Sequence, residues 1–392
     1  MENKEAVMHP KLNVGLLGHV DHGKTTLVEA LTGKWVSKYS EEKKRGITIR
    51  LGYTDFSIYR CSKCQRLGTS EKCMMCFSDC TPAKMFSLID APGHESLIPI
   101  VLSGAALFDA AIIVVAANEP CPQPQTLEHL RALQVGEIKQ IIVVQNKVDL
   151  VSREEAEKHY ESIKEFLKGK IAENVPIIPM SAQQKVGLEF LIEELMKLEE
   201  SPLEGGDPLF LIARSFDANK PGIKPGELVG GVIGGSMLRG KLKIGEKITI
   251  KPVSIGGKYV EIETKIKMIR RDLQDFDEAA PGGLVAIQTS LDPSLAKSDK
   301  LVGCIAGFGK MPETISSLKA GYSLFENYEI KANDTILVTC RNSRSTGIAV
   351  SINREQLELK LNSPLCADKG NKISYSKLIE HKWRLIGWGI IN

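Results

Sequence analysis

The 392 residues contain no apolar run near the ~18 needed to cross a bilayer. The N-terminal stretch M-E-N-K-E-A-V-M-H-P has no apolar core of the kind a signal peptide needs. A cytoplasmic protein is therefore expected, with no membrane among its partners. Strong charge is also lacking, with a net of only +3. That charge is unevenly spread: residues 1–207 carry 24 Lys+Arg against 29 Asp+Glu, and residues 208–392 carry 27 against 19. A mildly basic second half suits contact with nucleic acid, although a solvated surface would look the same. No internal repeat points to a solenoid. Nine cysteines in a reducing compartment argue for metal binding or plain burial, not for a disulfide framework.

What is present has two textures. The first ~200 residues alternate apolar strands with helical patterns, the mark of an α/β domain with a mostly parallel sheet. Strands are expected at Leu12–Leu17, Leu51–Tyr59, Lys84–Asp90, Ala110–Ala116, Gln140–Asn146 and Val175–Met180. Helices are expected at Lys24–Leu31, Ser96–Leu107, Gln125–Gln134, Arg153–Leu167 and Leu188–Leu198. Ser152 and Glu155 form a candidate capping pair for the fourth helix. The segment S-P-L-E-G-G-D-P, 201–208, reads as a linker. Beyond it, short β-rich runs broken by glycines read as all-β barrels. Strands are expected at Leu209–Arg214, Leu228–Ile233, Lys247–Ile250, Glu261–Ile269 and Leu284–Gln288. A further set is expected at Tyr328–Ile330, Thr335–Thr339, Gly347–Ile352, Gln356–Leu361 and Trp383–Ile390. The expected division is 1–204, 208–313 and 314–392.

Gly18–Thr25 reads G-H-V-D-H-G-K-T and fits the phosphate-loop pattern between a strand and a helix start. Its glycines let backbone N–H groups turn toward a phosphate at the positive end of the helix. The candidate nucleotide set is Asp21, His22, Gly23, Lys24, Thr25 and Thr26, with Lys24 reaching the outer phosphates and Thr25 ligating Mg²⁺. Asp90, in D-A-P-G-H, sits at a strand tip where it can hold Mg²⁺ through water, and Gly93 has no side chain to keep its N–H from the terminal phosphate. In N-K-V-D, Asp149 supplies a carboxylate that accepts from guanine and repels adenine. Asn146 fixes the loop, and the Lys147 stem lies along the base. Ser181 and Ala182 follow the last strand, where a backbone N–H can meet the guanine carbonyl. Thr48, in R-G-I-T-I, would complete Mg²⁺ coordination only with a third phosphate present, which makes that segment a switch. Five such fragments in order, each at a strand end, point to a GTPase that alternates between GTP and GDP. An ATP-using phosphotransferase is disfavoured by Asp149.

Cys61-x-x-Cys64 and Cys73-x-x-Cys76 are two knuckles eight residues apart. Four thiolates at this spacing can converge on a structural Zn²⁺, and the polar segment between them needs a staple to fold. Cys80, four residues on, is an alternative ligand. Cys121, Cys304, Cys340 and Cys366 are isolated and expected to be ordinary residues.

Together G-H-V-D-H-G-K-T, R-G-I-T-I, D-A-P-G-H and N-K-V-D resemble the translational GTPases related to elongation factor Tu. Within them the chain is most similar to the archaeal-type gamma subunits of translation initiation factor 2. That similarity rests on the cysteine-rich 59–80, L-G-Y at Leu51–Tyr53 and R-S-F-D-A-N-K-P-G at Arg214–Gly222. The resemblance implies an α/β P-loop GTPase domain followed by two all-β barrel domains. It implies a GTP hydrolase that carries initiator methionyl-tRNA to the small ribosomal subunit and works with alpha and beta subunits in a heterotrimer. It gives His94 the role of positioning the attacking water, with Val20 and Ile47 as the apolar pair screening it from the phosphate. Asp21 has two readings: an aid to magnesium or a monovalent cation, or a structural loop residue. Tyr53 matches an aromatic near the aminoacyl end of the tRNA, though a strand tyrosine is more often simply packed. An elongation-type or selenocysteine-specific aminoacyl-tRNA carrier is the near alternative, opposed by the cysteine insert and the N-K-P-G segment.

Overall fold

The computed structural model describes residues 9–33, 51–200, 205–220, 222–271, 274–353 and 355–392. Ile47 and Thr48 lie outside the described residues, as do Pro221 and residues 201–204 of the linker. The chain splits into two compact units, Met1–Val101 with Phe108–Ser201, and Leu102–Leu107 with Pro202–Asn392.

The chain opens as β1 (Leu12–Gly18), α1 (Lys24–Thr32), β2 (Gly52–Cys61), β3 (Leu67–Gly68), β4 (Cys80–Asp90), α2 (Ile98–Ala105), β5 (Ala110–Ala116), α3 (Pro124–Val135), β6 (Gln140–Asn146), α4 (Arg153–Leu167), β7 (Ile177–Pro179) and α5 (Leu188–Lys197). Among the described residues these strands form one sheet in the order β3-β2-β4-β1-β5-β6-β7. Strands β4, β1, β5, β6 and β7 run parallel, whereas β2 pairs antiparallel with both β3 and β4. The parallel strands are continuous apolar runs because both faces are covered, and every residue of β1 and β5 is buried. Leu16, Val114, Val144 and Leu191 belong to one core. Strand order brings the carboxyl ends of β1, β4 and β6 to one edge, where open parallel sheets bind ligands.

Glycines set the ends of α1. Gly23 (φ 89°) precedes it, and Gly33 (φ 68°) closes it with its N–H bonded to the Glu29 carbonyl. The capping box of α4 is complete, with Ser152 accepting from Glu155 N–H and Glu155 accepting from the Ser152 backbone. The expected Ser96–Leu107 helix is shorter, a 3-10 turn Glu95–Leu97 leading into α2. The last expected strand shrinks to the three residues of β7.

The second unit continues with β8 (Leu209–Phe216), β9 (Val232–Arg239), β10 (Leu242–Lys243), β11 (Lys247–Ile255), β12 (Lys258–Arg271), β13 (Gln274–Phe276), β14 (Glu278–Ala279), β15 (Val285–Thr289) and β16 (Ile305–Gly307). Their order β11-β16-β8-β9-β15-β12, with β11 also paired to β12, closes an antiparallel barrel around Phe210, Ile233, Ile250 and Ile287. The expected strand at Leu228–Ile233 begins only at Val232, because the Asn219 side-chain amide takes both backbone groups of Val229, each at 2.8 Å. Then follow β17 (Glu313–Gly321), β18 (Ser323–Leu324), β19 (Thr335–Cys340), β20 (Ser343–Ile352), β21 (Gln356–Ala367), β22 (Lys372–Ile379) and β23 (Lys382–Ile390). They form a second antiparallel sheet, β17-β21-β20-β19-β22-β23-β18, and Ala320 of β17 also bridges to Ile391, the residue after β23. Tyr328–Ile330 is not a strand: it is irregular chain that follows a turn at Glu326–Asn327, with Asn327 at φ 68°. Both β17 and β22 are additional to the expected set. Among the described residues no helix is long and apolar enough to cross a membrane.

Candidate nucleotide and metal sites

The loop after β1 is built around its lysine. Lys24 Nζ donates to the carbonyls of Gly18 at 2.8 Å and His19 at 2.7 Å. The side chain is buried, and burial brings its pKa down to about 8 against the opposing pull of Asp90 and Asp21. One residue on, Thr25 Oγ1 donates to Asp90 Oδ2 at 3.1 Å, which joins the first turn of α1 to the tip of β4. Gly93 lies hard against this loop. A Cβ there would sit 2.5 Å from Lys24 Nζ and 2.8 Å from the Gly18 oxygen, so no larger residue fits unless both move. Asp21 is exposed at φ 62°, while Val20 and Thr26 are half-buried.

The base-side fragments meet the same loop through Asn146, the last residue of β6. Its Nδ2 donates to the His22 carbonyl at 2.9 Å, and its Oδ1 accepts from Ala182 N–H at 2.9 Å. A Cβ on Gly23 would lie 2.3 Å from that Nδ2. The glycine is thus required both by its left-handed backbone and by the amide packed on it. Lys147 follows at φ 62°, and Asp149 stands exposed in the turn Val148–Leu150. Ser181 Oγ accepts from Gln184 N–H at 3.2 Å, which closes the loop that presents Ala182.

The two candidate histidines are held in different ways. The His22 ring is turned into the protein, with Nδ1 3.0 Å from the Val114 carbonyl and Nε2 3.3 Å from Glu119 Oε2. Burial pushes it down to about 4. Its side chain anchors the loop to β5, and its carbonyl is the group facing Asn146. His94 caps the turn Glu95–Leu97, with Nδ1 accepting from Ser96 N–H at 3.3 Å and lying 2.8 Å from Ser96 Oγ. Tyr53 sits in β2 opposite Ile89, one residue from Asp90, and is half-buried. The sequence-based site omitted His129 and Glu119. His129 is buried on α3 together with the polar residues Gln125, Thr126 and Glu128, so no signal in the sequence sets it apart.

The cysteine segment consists of two knuckles with matching backbone. In the first, Cys61 N–H donates to the Arg66 carbonyl and Gln65 N–H to Cys61, with Gln65 at φ 61°. In the second, Cys73 N–H donates to Ser78 and Phe77 N–H to Cys73, with Phe77 at φ 55°. The four sulfurs of Cys61, Cys64, Cys73 and Cys76 all lie within 4.8 Å of one another. Hydrogen bonds from the Ser78 hydroxyl and backbone pull the Cys76 thiol down to about 6. Cys80 lies outside this group of four and donates to the Ser78 carbonyl at 3.8 Å. Cys304, Cys340 and Cys366 are buried.

Comparison with known proteins fits this geometry. The family described as "Elongation factor Tu GTP binding domain" matches residues 9–201, and "Initiation factor eIF2 gamma, C terminal" matches residues 316–391. The chain is 44% identical to translation initiation factor 2 subunit gamma of Pyrococcus furiosus, covering 100% of both chains. It is 47% identical to the protein of that name from Sulfurisphaera tokodaii, covering 98% of both. Among solved structures, a bacterial selenocysteine-specific elongation factor superposes with a TM-score of 0.77 at 24% identity, over 98% of this chain and 58% of that one. Elongation factor SelB from Methanococcus maripaludis, solved with the GTP analogue GppNHp, gives 0.76 at 23%, over 98% and 80%. These two share the fold.

Proposed function

Because the chain belongs to the gamma-subunit family of translation initiation factor 2, whose GTPase domain is of the elongation factor Tu type, we propose that it carries initiator methionyl-tRNA to the small ribosomal subunit in its GTP state and releases it after hydrolysis. The chain is a GTP hydrolase of initiation. The observation that carries the nucleotide site is the meeting of separate strand ends on one loop, Thr25 with Asp90 and Asn146 with both His22 and Ala182.

In this reading Lys24, whose ammonium has three donors, keeps the Gly18 carbonyl and turns the others to the outer phosphates, which restores the charge that burial opposes. Asp149 selects guanine, Asn146 holds the loop and Lys147 lies along the base. The Thr25 hydroxyl and the Asp90 carboxylate are hard oxygen donors that fit Mg²⁺, with Thr48 as the switch contribution and Asp21 as a candidate aid. When bound, Mg²⁺ neutralises charge on the outer phosphates. His94 positions the attacking water behind Val20 and Ile47. The ring is held in a capping position by the contacts of Nδ1 with Ser96. Intrinsic turnover is accordingly slow until a partner repositions it.

Four thiolates on paired knuckles suit a closed, structural Zn²⁺ site, with Cys80 outside it. The second unit divides into barrels at 208–313 and 314–392, and Tyr53 stands near the aminoacyl end of the tRNA. Alpha and beta subunits complete a heterotrimer working in the cytoplasm. Protection of methionyl-initiator tRNA from deacylation with GTP, with GDP and without nucleotide tests this proposal. Protection by the GTP form alone, and weaker with elongator tRNA, is expected. Equal protection in all three states would refute it.

A further inference from the structure

One contact to the phosphate loop comes from far along the chain. His129, on α3, is 1% exposed, and its Nδ1 accepts a hydrogen bond from Gly18 N–H at 3.0 Å. Gly18 is the last residue of β1. Gly18 lies opposite Val114 of β5, but the β1–β4 ladder ends two residues earlier, at Leu16 opposite Asp90, and the Gly18 N–H goes to a side chain. On its other side, the Gly18 carbonyl accepts from Lys24 Nζ at 2.8 Å. A single residue thus has its N–H held by α3 and its C=O held by the phosphate-binding lysine. It has little freedom to move, since a Cβ there would lie 2.3 Å from the Val114 oxygen.

We infer that His129 is a positioning residue for the phosphate loop, fixing the Gly18 backbone from which Lys24 is aimed at the nucleotide phosphates. It touches neither nucleotide nor cation and acts through Gly18. An amide donor on Nδ1 assigns the ring proton to Nε2, so the ring serves as a neutral acceptor. Burial, with the positive fields of Lys24, His19 and His22, pushes His129 down to about 3, so the acceptor persists at every pH at which the protein is handled. Removing it strands a buried N–H at the base of the loop.

The inference rests on the guanine-nucleotide reading of the site. Its test compares GDP with GMP, because positioning of the outer phosphates is what should fail while the base contacts stay. The variants are His129→Leu, His129→Asn and His129→Gln in the full chain. Asparagine places an acceptor where Nδ1 lies, two bonds from Cβ, whereas glutamine carries it one bond further. With His129→Leu and His129→Gln, the GDP dissociation constant should rise about tenfold or more while that for GMP changes by less than about twofold, and His129→Asn should stay within about threefold of wild type. Should the leucine variant not fold, the asparagine and glutamine pair carries the comparison alone. Equal loss for GDP and GMP, or an asparagine variant as weak as glutamine, would overturn the inference. Wild type that bound neither nucleotide would instead overturn the site reading, and this inference with it.

Discussion

Replacing Asn146 with alanine probes the joint on which the nucleotide site depends. The side chain is 2% exposed and bridges two buried backbone groups, the His22 carbonyl and the Ala182 N–H, each at 2.9 Å. Its removal leaves both without that partner. A stranded buried group costs about 1–3 kcal/mol, so the pair costs about 2–4 kcal/mol once water has entered the space of the lost amide. The cost falls on the arrangement that receives the nucleotide. GDP should therefore bind about 30- to 1000-fold more weakly. Titration with a fluorescent GDP analogue at fixed Mg²⁺ measures this directly, and metal content serves as a control, since the cysteine knuckles lie on other strands. Asn146→Asp should bind no better than alanine: it keeps the acceptor for Ala182 but turns a carboxylate oxygen toward the His22 carbonyl. If Asn146→Ala bound GDP within about threefold of wild type, the bridge would not be what organises the site.

Three further outcomes are expected. Purified protein should hold one zinc per chain by elemental analysis; Cys64→Ser should lose it and Cys80→Ser should keep it, and the reverse pattern would refute the four-sulfur assignment. Gly93→Ala puts a Cβ 2.5 Å from Lys24 Nζ, so GTP binding should weaken about tenfold or more, and an unchanged GTP dissociation constant would show that the loop yields freely. His94→Ala should leave GTP affinity within about threefold of wild type yet lower ribosome-stimulated phosphate release about 100-fold or more, and equal release rates would retire His94 as the water-positioning group.

Much of the site was legible because its chemistry is local. The phosphate loop needs glycine, lysine and threonine at set spacings along a strand, turn and helix, and those spacings survive in the linear chain. The same holds for the capping box at Ser152 and Glu155, and for the two knuckles, whose matching turns follow from C-x-x-C itself. Strands β5 and β6 were readable to the residue because burial on both faces leaves an uninterrupted apolar run. Elsewhere local pattern misled. Leu228 and Val229 are apolar and Val229 is β-branched, which suggests a strand, yet Asn219, ten residues away, takes the Val229 backbone. The strand β17 is mostly exposed, with only Leu318 and Ala320 buried, and so carries little periodic signal.

The sequence alone determined the class of the molecule, the strand-end motifs and the two C-x-x-C knuckles, since each is written in neighbouring residues and the backbone geometry they permit; that Cys80 stands apart from the other four sulfurs came from the tertiary structure. Tertiary structure decided that His22 points inward, that Asn146 ties three segments together and that His129 reaches Gly18 across 111 residues of chain. It also decided that β11 and β12 close the first barrel. Such pairings are set by which surfaces pack once the sheet forms. Hydrogen bonds between distant residues are selected by burial, because a polar group taken from water must find whatever partner the fold brings to it.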